Sequence, residues 1–560
     1  MVLLRASDKW AKLKKNIILE PYISSFAPSN RWSNKDLDPV PPHERTWTNP
    51  FYVICYWISD AFTISTWSMA SSMIALGLTW KSAFAAIIIG HSIIAIPICL
   101  NGWSGAYLHV SFPVVTRASF GMIGNCFVVV SRGFLAIIWG AVQTYIGSEC
   151  VRQMINAIWP SFRAFPNHLP ASAQITSAGL LCFFIYFMIQ LPFVLMPMRK
   201  IKWLFVVKTI VMPIATIAVL IWALKSAGGT GPVFAQPGTI HGFSKIAWAW
   251  LASLNSVLGN YATLSCNIGD FTRYAKKPGN TWVQAIIIPV AFSAFGLIGI
   301  IVSSASAIIY KDGVLWDPTV LIDHFDSRAA KFFVAFAFAL ATLGTNISAN
   351  TISAANDFSA IFPKVFNIRR GSLIASLLAW ICVPWYILNT AKGFLAFMGS
   401  YSVILGPIAG VMVSDFWLVR NIGRIDTREL YNPHGKYWYW KGWNWRGYVA
   451  LICGFIINLP GFLNQIVPSI KVGGAIYIFY VGWLNSFLIG LVLYWILWKI
   501  WPAHEIGQAV LVDDIILSNH IRDVEMDGTK DRKDSVSDID KRSIINMERK
   551  NSDIVKVEFF

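Results

Sequence analysis

Trp139 and Gln143 stand four residues apart in the apolar run Trp139-Gly-Ala-Val-Gln143. On a helix that spacing puts both on one face, one turn displaced. An indole can stack on a flat heteroaromatic ring, and a primary amide offers a donor and an acceptor to a lactam edge. The competing reading is a packing tryptophan beside a glutamine that bonds a neighbouring helix; with 26 tryptophans in the chain, Trp139 alone carries no weight. Polar groups interrupt other apolar runs. They are Asp60 with Thr63-Ile-Ser65-Thr66; Asn255, Gly259, Asn260 and Asn267-Ile-Gly-Asp270; and Thr345-Asn-Ile-Ser-Ala-Asn350, continuing through Ser353 to Asn356-Asp357. Each costs free energy in hydrocarbon unless it faces a partner, a cavity or water. Such groups concentrate where membrane helices are interrupted and backbone groups are freed to hold a solute.

The elements that must position these residues are membrane spans. The 560 residues are 55% hydrophobic and only 13% charged, half the charge of an ordinary soluble domain. The apolar residues come in blocks near the roughly 20 residues that cross a bilayer. About twelve spans are predicted, at 50–77, 83–108, 122–157, 173–196, 203–224, 245–269, 283–309, 332–354, 371–390, 393–418, 447–467 and 473–500. Residues 1–49 then form a cytosolic tail, 50–500 the transport domain and 501–560 a mixed-charge cytosolic tail unable to bury a core. That last tail carries Lys530, Lys533, Lys541, Lys550, Ser535 and Ser537; it is either a bland solvated tail or a target of modification machinery.

Charge placement sets orientation. With both termini in the cytosol, Arg199, Lys200 and Lys202, Arg273, Lys276 and Lys277, and Lys364, Arg369 and Arg370 all fall inside, as cytoplasmic loops require. The net charge of +17 is spread over loops and tails, which argues against nucleic-acid binding. Eight scattered cysteines include no CxxC pair or metal-ligand spacing. The polar start has no short apolar core before a cleavage site, so the first span is expected to direct insertion. No catalytic set appears: the nine histidines form no HxxxH or HxxH pair, and no Gly-x-Ser-x-Gly elbow or phosphate loop is found. An enzyme is therefore not expected. Trp438, Trp440, Trp443 and Trp445 read as an interfacial belt.

The run Asn34-Lys-Asp-Leu-Asp-Pro-Val-Pro-Pro-His-Glu-Arg-Thr-Trp47 resembles the segment that precedes the first span in the nucleobase–cation symport-1 family, specifically its fungal uracil/allantoin/uridine permease branch. Four further stretches agree in order: Trp57-Ile-Ser-Asp-Ala-Phe62 with Thr66-Trp-Ser-Met-Ala-Ser-Ser-Met73; Trp139-Gly-Ala-Val-Gln143; Asn267-Ile-Gly-Asp-Phe-Thr-Arg-Tyr-Ala275; and Ala341-Thr-Leu-Gly-Thr-Asn-Ile-Ser-Ala-Asn350 with Asn356-Asp-Phe358. The resemblance covers roughly residues 34–500. It implies an all-α integral membrane protein of twelve helices, with a leucine-transporter-like 5+5 inverted-repeat core and two extra helices. A bundle of spans one, two, six and seven would rock against a scaffold of three, four, eight and nine, with spans one and six broken.

The resemblance also implies roles. Trp139 stacks on the substrate ring, Gln143 and Asn350 grip its edge, and Gly259 and Asn260 approach the opposite face. Sodium-coupled relatives place a second tryptophan there, whereas this chain has Asn260-Tyr261. Thr63 and Ser65 line the pocket. Where sodium-coupled relatives read Ala-x-x-Ser-Thr, this chain reads Ala341-Thr-Leu-Gly344-Thr345, a vestigial cation site lacking one hydroxyl. Proton coupling is then expected through Asp357 or Asp60; the competing reading of Asp357 is a helix cap or an ion pair with a cytoplasmic Lys or Arg. The expected protein is a proton symporter of the plasma membrane importing a small molecule, uracil or allantoin, without cofactor or metal. Nucleoside, thiamine or nicotinamide riboside transport is the alternative, and a non-transporting receptor the remote one.

Overall fold

The computed structural model describes residues 18–19, 31–196, 198–310, 313–504, 506, 508 and 510–516. The tail residues singled out above lie outside these, as do the side chains of Arg199, Lys200 and Lys202. Among the described residues the chain is helical, with isolated bridges but no β-strand.

Helices occupy each of the twelve predicted ranges. They are α1 (Pro50–Ala61) and α2 (Ile64–Ala75) in the first, α3 (Trp80–Leu108) in the second, α4 (Phe112–Phe120) in a connection, and α5 (Gly124–Ile158) in the third. Next come α6 (Ser177–Val194), α7 (Met198–Ser226), α8 (Phe243–Asn260) with α9 (Ala262–Asn267), and α10 (Gln284–Ile309). The eighth range holds α11 (Arg328–Thr345), a π-helical segment Asn346–Ile352, and α12 (Ser353–Ile361). The rest are α13 (Ile368–Leu378), α14 (Ala391–Val413), α15 (Trp445–Ile456) with α16 (Leu459–Ile466), and α17 (Gly482–Ile500). Eight of these segments are long and apolar enough to cross a bilayer, or nine if the bent pair α15–α16 is one span. The first range falls short by length because it is split into two 12-residue helices, and the ninth because α13 has only 11 residues.

The splits have local causes. Phe62 and Thr63 leave helical geometry, and Thr63 then caps α2, its hydroxyl accepting from the Thr66 amide at 3.3 Å; a threonine oxygen satisfies an orphan donor at such a start. Between α8 and α9, Tyr261 steps out of the α region at φ −117°, ψ 15°. The two splits face one another, the Tyr261 hydroxyl donating to the carbonyl of Asp60 at 3.0 Å.

Spans one, two, six and seven pack on one another, as do three, four, eight and nine. The segment beginning at Asn34 is tied to the connections after spans six and eight. The Asn34 amide donates to the carbonyls of Pro363 and Phe366, the Asp36 carboxylate accepts from the Ile368 amide, and Arg273 donates to the Asp36 carbonyl. Its residues thus dock on the body of the protein through main-chain groups, with Leu37 fully buried.

Candidate functional site

A small central cavity lies where the splits of spans one and six meet α5 and the π-helical segment. Asp60, Thr63, Ser65, Trp139, Gln143, Asn260, Tyr261, Thr345 and Asn350 line it, with Thr263, Leu264 and Ala349. Residues up to about 290 positions apart in the chain are thereby gathered around one void, as interrupted-helix sites are.

Trp139 forms one wall. Behind it stand three aromatic rings of α14, with centroids at 6.4 Å for Phe394, 5.6 Å for Phe397 and 6.1 Å for Tyr401. They immobilise the indole, whose stacking face is then available at no further ordering cost. The sequence reading missed them, although their i, i+3, i+7 spacing is that of one helix face.

The amides are held asymmetrically. Gln143 donates through Nε2 to the Ser65 hydroxyl at 2.8 Å, and its buried Oε1 has no hydrogen-bond partner among the described residues. Asn260 likewise keeps a buried Nδ2 without a partner. Asn350 donates through Nδ2 to the Oδ1 of Asn346 at 3.2 Å. A buried acceptor or donor left unmade costs about 1–3 kcal/mol. These atoms describe a solute that both donates and accepts.

Gly259 does not line the cavity. A Cβ there would sit 2.1 Å from the carbonyl oxygen of Met398, and its own carbonyl accepts from the Tyr401 hydroxyl at 2.5 Å. The glycine is the close-packing point between α8 and α14 just before the split. The aromatic residue at the split is Tyr261, set edge-on to Phe292 at 4.5 Å.

The two carboxylates differ sharply. Asp60, 2% exposed, is at the cavity, close to the hydroxyls of Thr345 and Tyr261 and to the ammonium of Lys208. Lys208 comes from α7 and donates to the Thr345 hydroxyl at 2.5 Å. The stretch read as a vestigial cation site thus has a side-chain cation against its remaining hydroxyl, and the following Ser348 turns its own hydroxyl to the Gly344 carbonyl. Ala341 is buried without contributing a polar side chain. Asp357 does not line the cavity. It forms a buried ion pair with Arg132 of α5, which also donates to the Ser353 carbonyl at 2.6 Å. Ser353 in turn accepts from Asn267, whose amide reaches Asp270. The competing reading of Asp357 is therefore the observed geometry, with the arginine supplied by span three rather than by a cytoplasmic loop.

Split helices around a polar cavity, in a chain whose helices are apolar and long enough to cross a bilayer, define a membrane transporter rather than an enzyme. Residues 39–485 match the sequence model of permeases for cytosine/purines, uracil, thiamine and allantoin. The chain is 38% identical over 478 residues to an uncharacterised permease of Schizosaccharomyces pombe, covering 84% of each. It is 36% identical to the allantoin permease of Saccharomyces cerevisiae, over 84% of this chain and 76% of that one. It is also 36% identical to the uracil permease of that yeast, over 80% and 73%. The solved structure of Mhp1, a nucleobase-cation-symport-1 transporter in a closed conformation with bromovinylhydantoin bound, superimposes with a TM-score of 0.68 at 22% identity, over 85% of this chain and 98% of that one. That likeness shows the leucine-transporter-type fold. The chain belongs to the nucleobase–cation symport-1 family.

Proposed function

We propose that this permease imports uracil, allantoin or a close heterocyclic relative by proton-coupled alternating access across twelve spans of the plasma membrane, with both termini in the cytosol. The observation that carries the reading is the cavity itself: an immobilised indole beside amides that keep a free acceptor on Gln143 and a free donor on Asn260. A planar NH–C=O edge satisfies both at once. A bulkier ribosylated or cationic solute calls for a different lining. The yeast relatives named for allantoin and uracil support the same class.

Proton coupling is favoured by the charge that Lys208 brings to Thr345, which leaves no call for a bound sodium there. Asp60 is the carboxylate at the cavity and is assigned the proton. Its protonation would bias the two states only by interacting differently with each. The test is uptake of labelled uracil and allantoin by a strain lacking its own permeases, at two external pH values, with and without sodium. Uptake should rise at the lower pH and ignore sodium. Absence of both substrates from the cell, or a strict sodium requirement, would refute the reading.

A further inference from the structure

The hydrogen bonds behind Asn350 run in one fixed direction. They end on the main-chain carbonyl of Gly140, one residue after Trp139. A carbonyl can only accept. Thr144 donates its hydroxyl hydrogen to that carbonyl at 2.7 Å, the usual back-bond of a helical threonine. The Thr144 oxygen is then an acceptor, taken up by Nε2 of Gln190 at 3.2 Å and Nδ2 of Asn346 at 3.1 Å. Gln190, from α6 and 2% exposed, accepts through Oε1 from Asn346 at 3.2 Å; the Thr144 hydroxyl is also 3.4 Å from that oxygen, but its one hydrogen is taken by the closer Gly140 carbonyl. Asn346 also donates to the Gly140 carbonyl at 3.2 Å. With the two hydrogens of its amino group shared among three acceptors, Asn346 has only its oxygen left for Asn350, and Asn350 gives it its own amino group.

We infer that Asn346, held by Gln190 and Thr144, is a positioning residue that locks the Asn350 amide with its oxygen toward the cavity, so that the transported molecule must offer an N–H there. The lock fixes polarity as well as place: reversing Asn350 would set two oxygens against each other and leave a buried group unmade. Gln143 is held differently. Its partner, the Ser65 hydroxyl, can donate as well as accept, so that amide can turn over without loss. One amide of the grip is therefore invariant and the other adjustable. The chemical class admitted is a planar ring with an N–H at the Asn350 end and either a donor or an acceptor at the Gln143 end.

The inference rests on the uracil/allantoin reading, and the test separates the two. Competition against labelled uracil is measured for uracil and for the two ring analogues in which N1–H or N3–H is replaced by oxygen, which removes a donor without adding bulk. In the wild type one analogue should compete at least about tenfold worse than uracil, the cost of an acceptor left unmade. In Asn346→Leu, which frees Asn350 to turn, that gap should collapse. In Gln190→Met, which leaves Asn346 its bonds to Gly140 and Thr144, it should narrow by less, and this milder variant decides the matter if Asn346→Leu does not reach the membrane. A merely structural role would lower uptake of all three compounds in proportion and leave the gap intact, which would overturn the inference alone. Failure of the wild type to take up uracil or allantoin would overturn the functional reading and the inference with it.

Discussion

The cavity and the ion cluster around Asp357 are built from the same residue types. In both, an aspartate, an asparagine and a hydroxyl are buried among apolar helices. In the cluster they are joined to each other, Asp357 to Arg132, Arg132 to the Ser353 carbonyl, and Asn267 to Ser353 and Asp270, although Asp357 Oδ1, Asn267 Oδ1 and Arg132 Nε are buried with no partner among the described residues. At the cavity the Gln143 oxygen and the Asn260 amino group are also left over, but on residues that line a void. Polar groups used up within the fold stabilise and align it. Leftover atoms can meet a solute only where they border a void, as those of Gln143 and Asn260 do and those of the cluster do not. Burial alone does not separate the two, since Asp60 and Asp357 are each 2% exposed.

The comparison can be broken most forcefully at the ion pair. Arg132→Met strands a buried carboxylate and should cost about 3–5 kcal/mol, read as loss of folded protein from the membrane. Arg132→Met/Asp357→Leu, which removes both charges, should recover most of that loss and keep the rise in uptake at low external pH. Asp60→Asn should do the reverse, reaching the membrane while that pH response is lost. A smaller effect is expected at Gly259, where Ala must push into the Met398 carbonyl at a cost of about 1–3 kcal/mol, seen as a lower melting temperature. Smallest is Ser65→Ala, which removes one neutral hydrogen bond to Gln143 worth about 1 kcal/mol. It should raise the uptake KM several-fold at most.

Much of this was legible in the chain because membrane helices advertise themselves. A polar group in an apolar block must be accounted for, so Thr63-Ile-Ser65 and Gly259-Asn260 marked both helix splits, and Trp139, Gln143 and Asn350 fell on one cavity. The rest was hidden for identifiable reasons. The polar run Thr345 to Asn350 marked an irregular stretch, but nothing in Asn346 to Ile352 indicated that it would take π-helical form. Lys208 and Arg132 did have a signal, each a charge inside an apolar block; what the linear order could not supply was which carboxylate each would meet. Gly259 shows the opposite failure. Family position put it at the substrate, whereas the missing side chain serves helix packing beside Met398. The Gln190 relay joins spans three, four and eight and exists only once they are assembled.

The central claim is that the atoms left over at the cavity are those a transported solute completes. It is tested most directly by initial rates of uracil and allantoin uptake for Trp139→Ala, Gln143→Ala and Asn350→Ala, each normalised to protein at the membrane. We expect each to fall at least about tenfold, equivalent to ~1.4 kcal/mol of binding, with the melting temperature little changed. Wild-type rates in all three, from protein correctly placed in the membrane, would contradict the account.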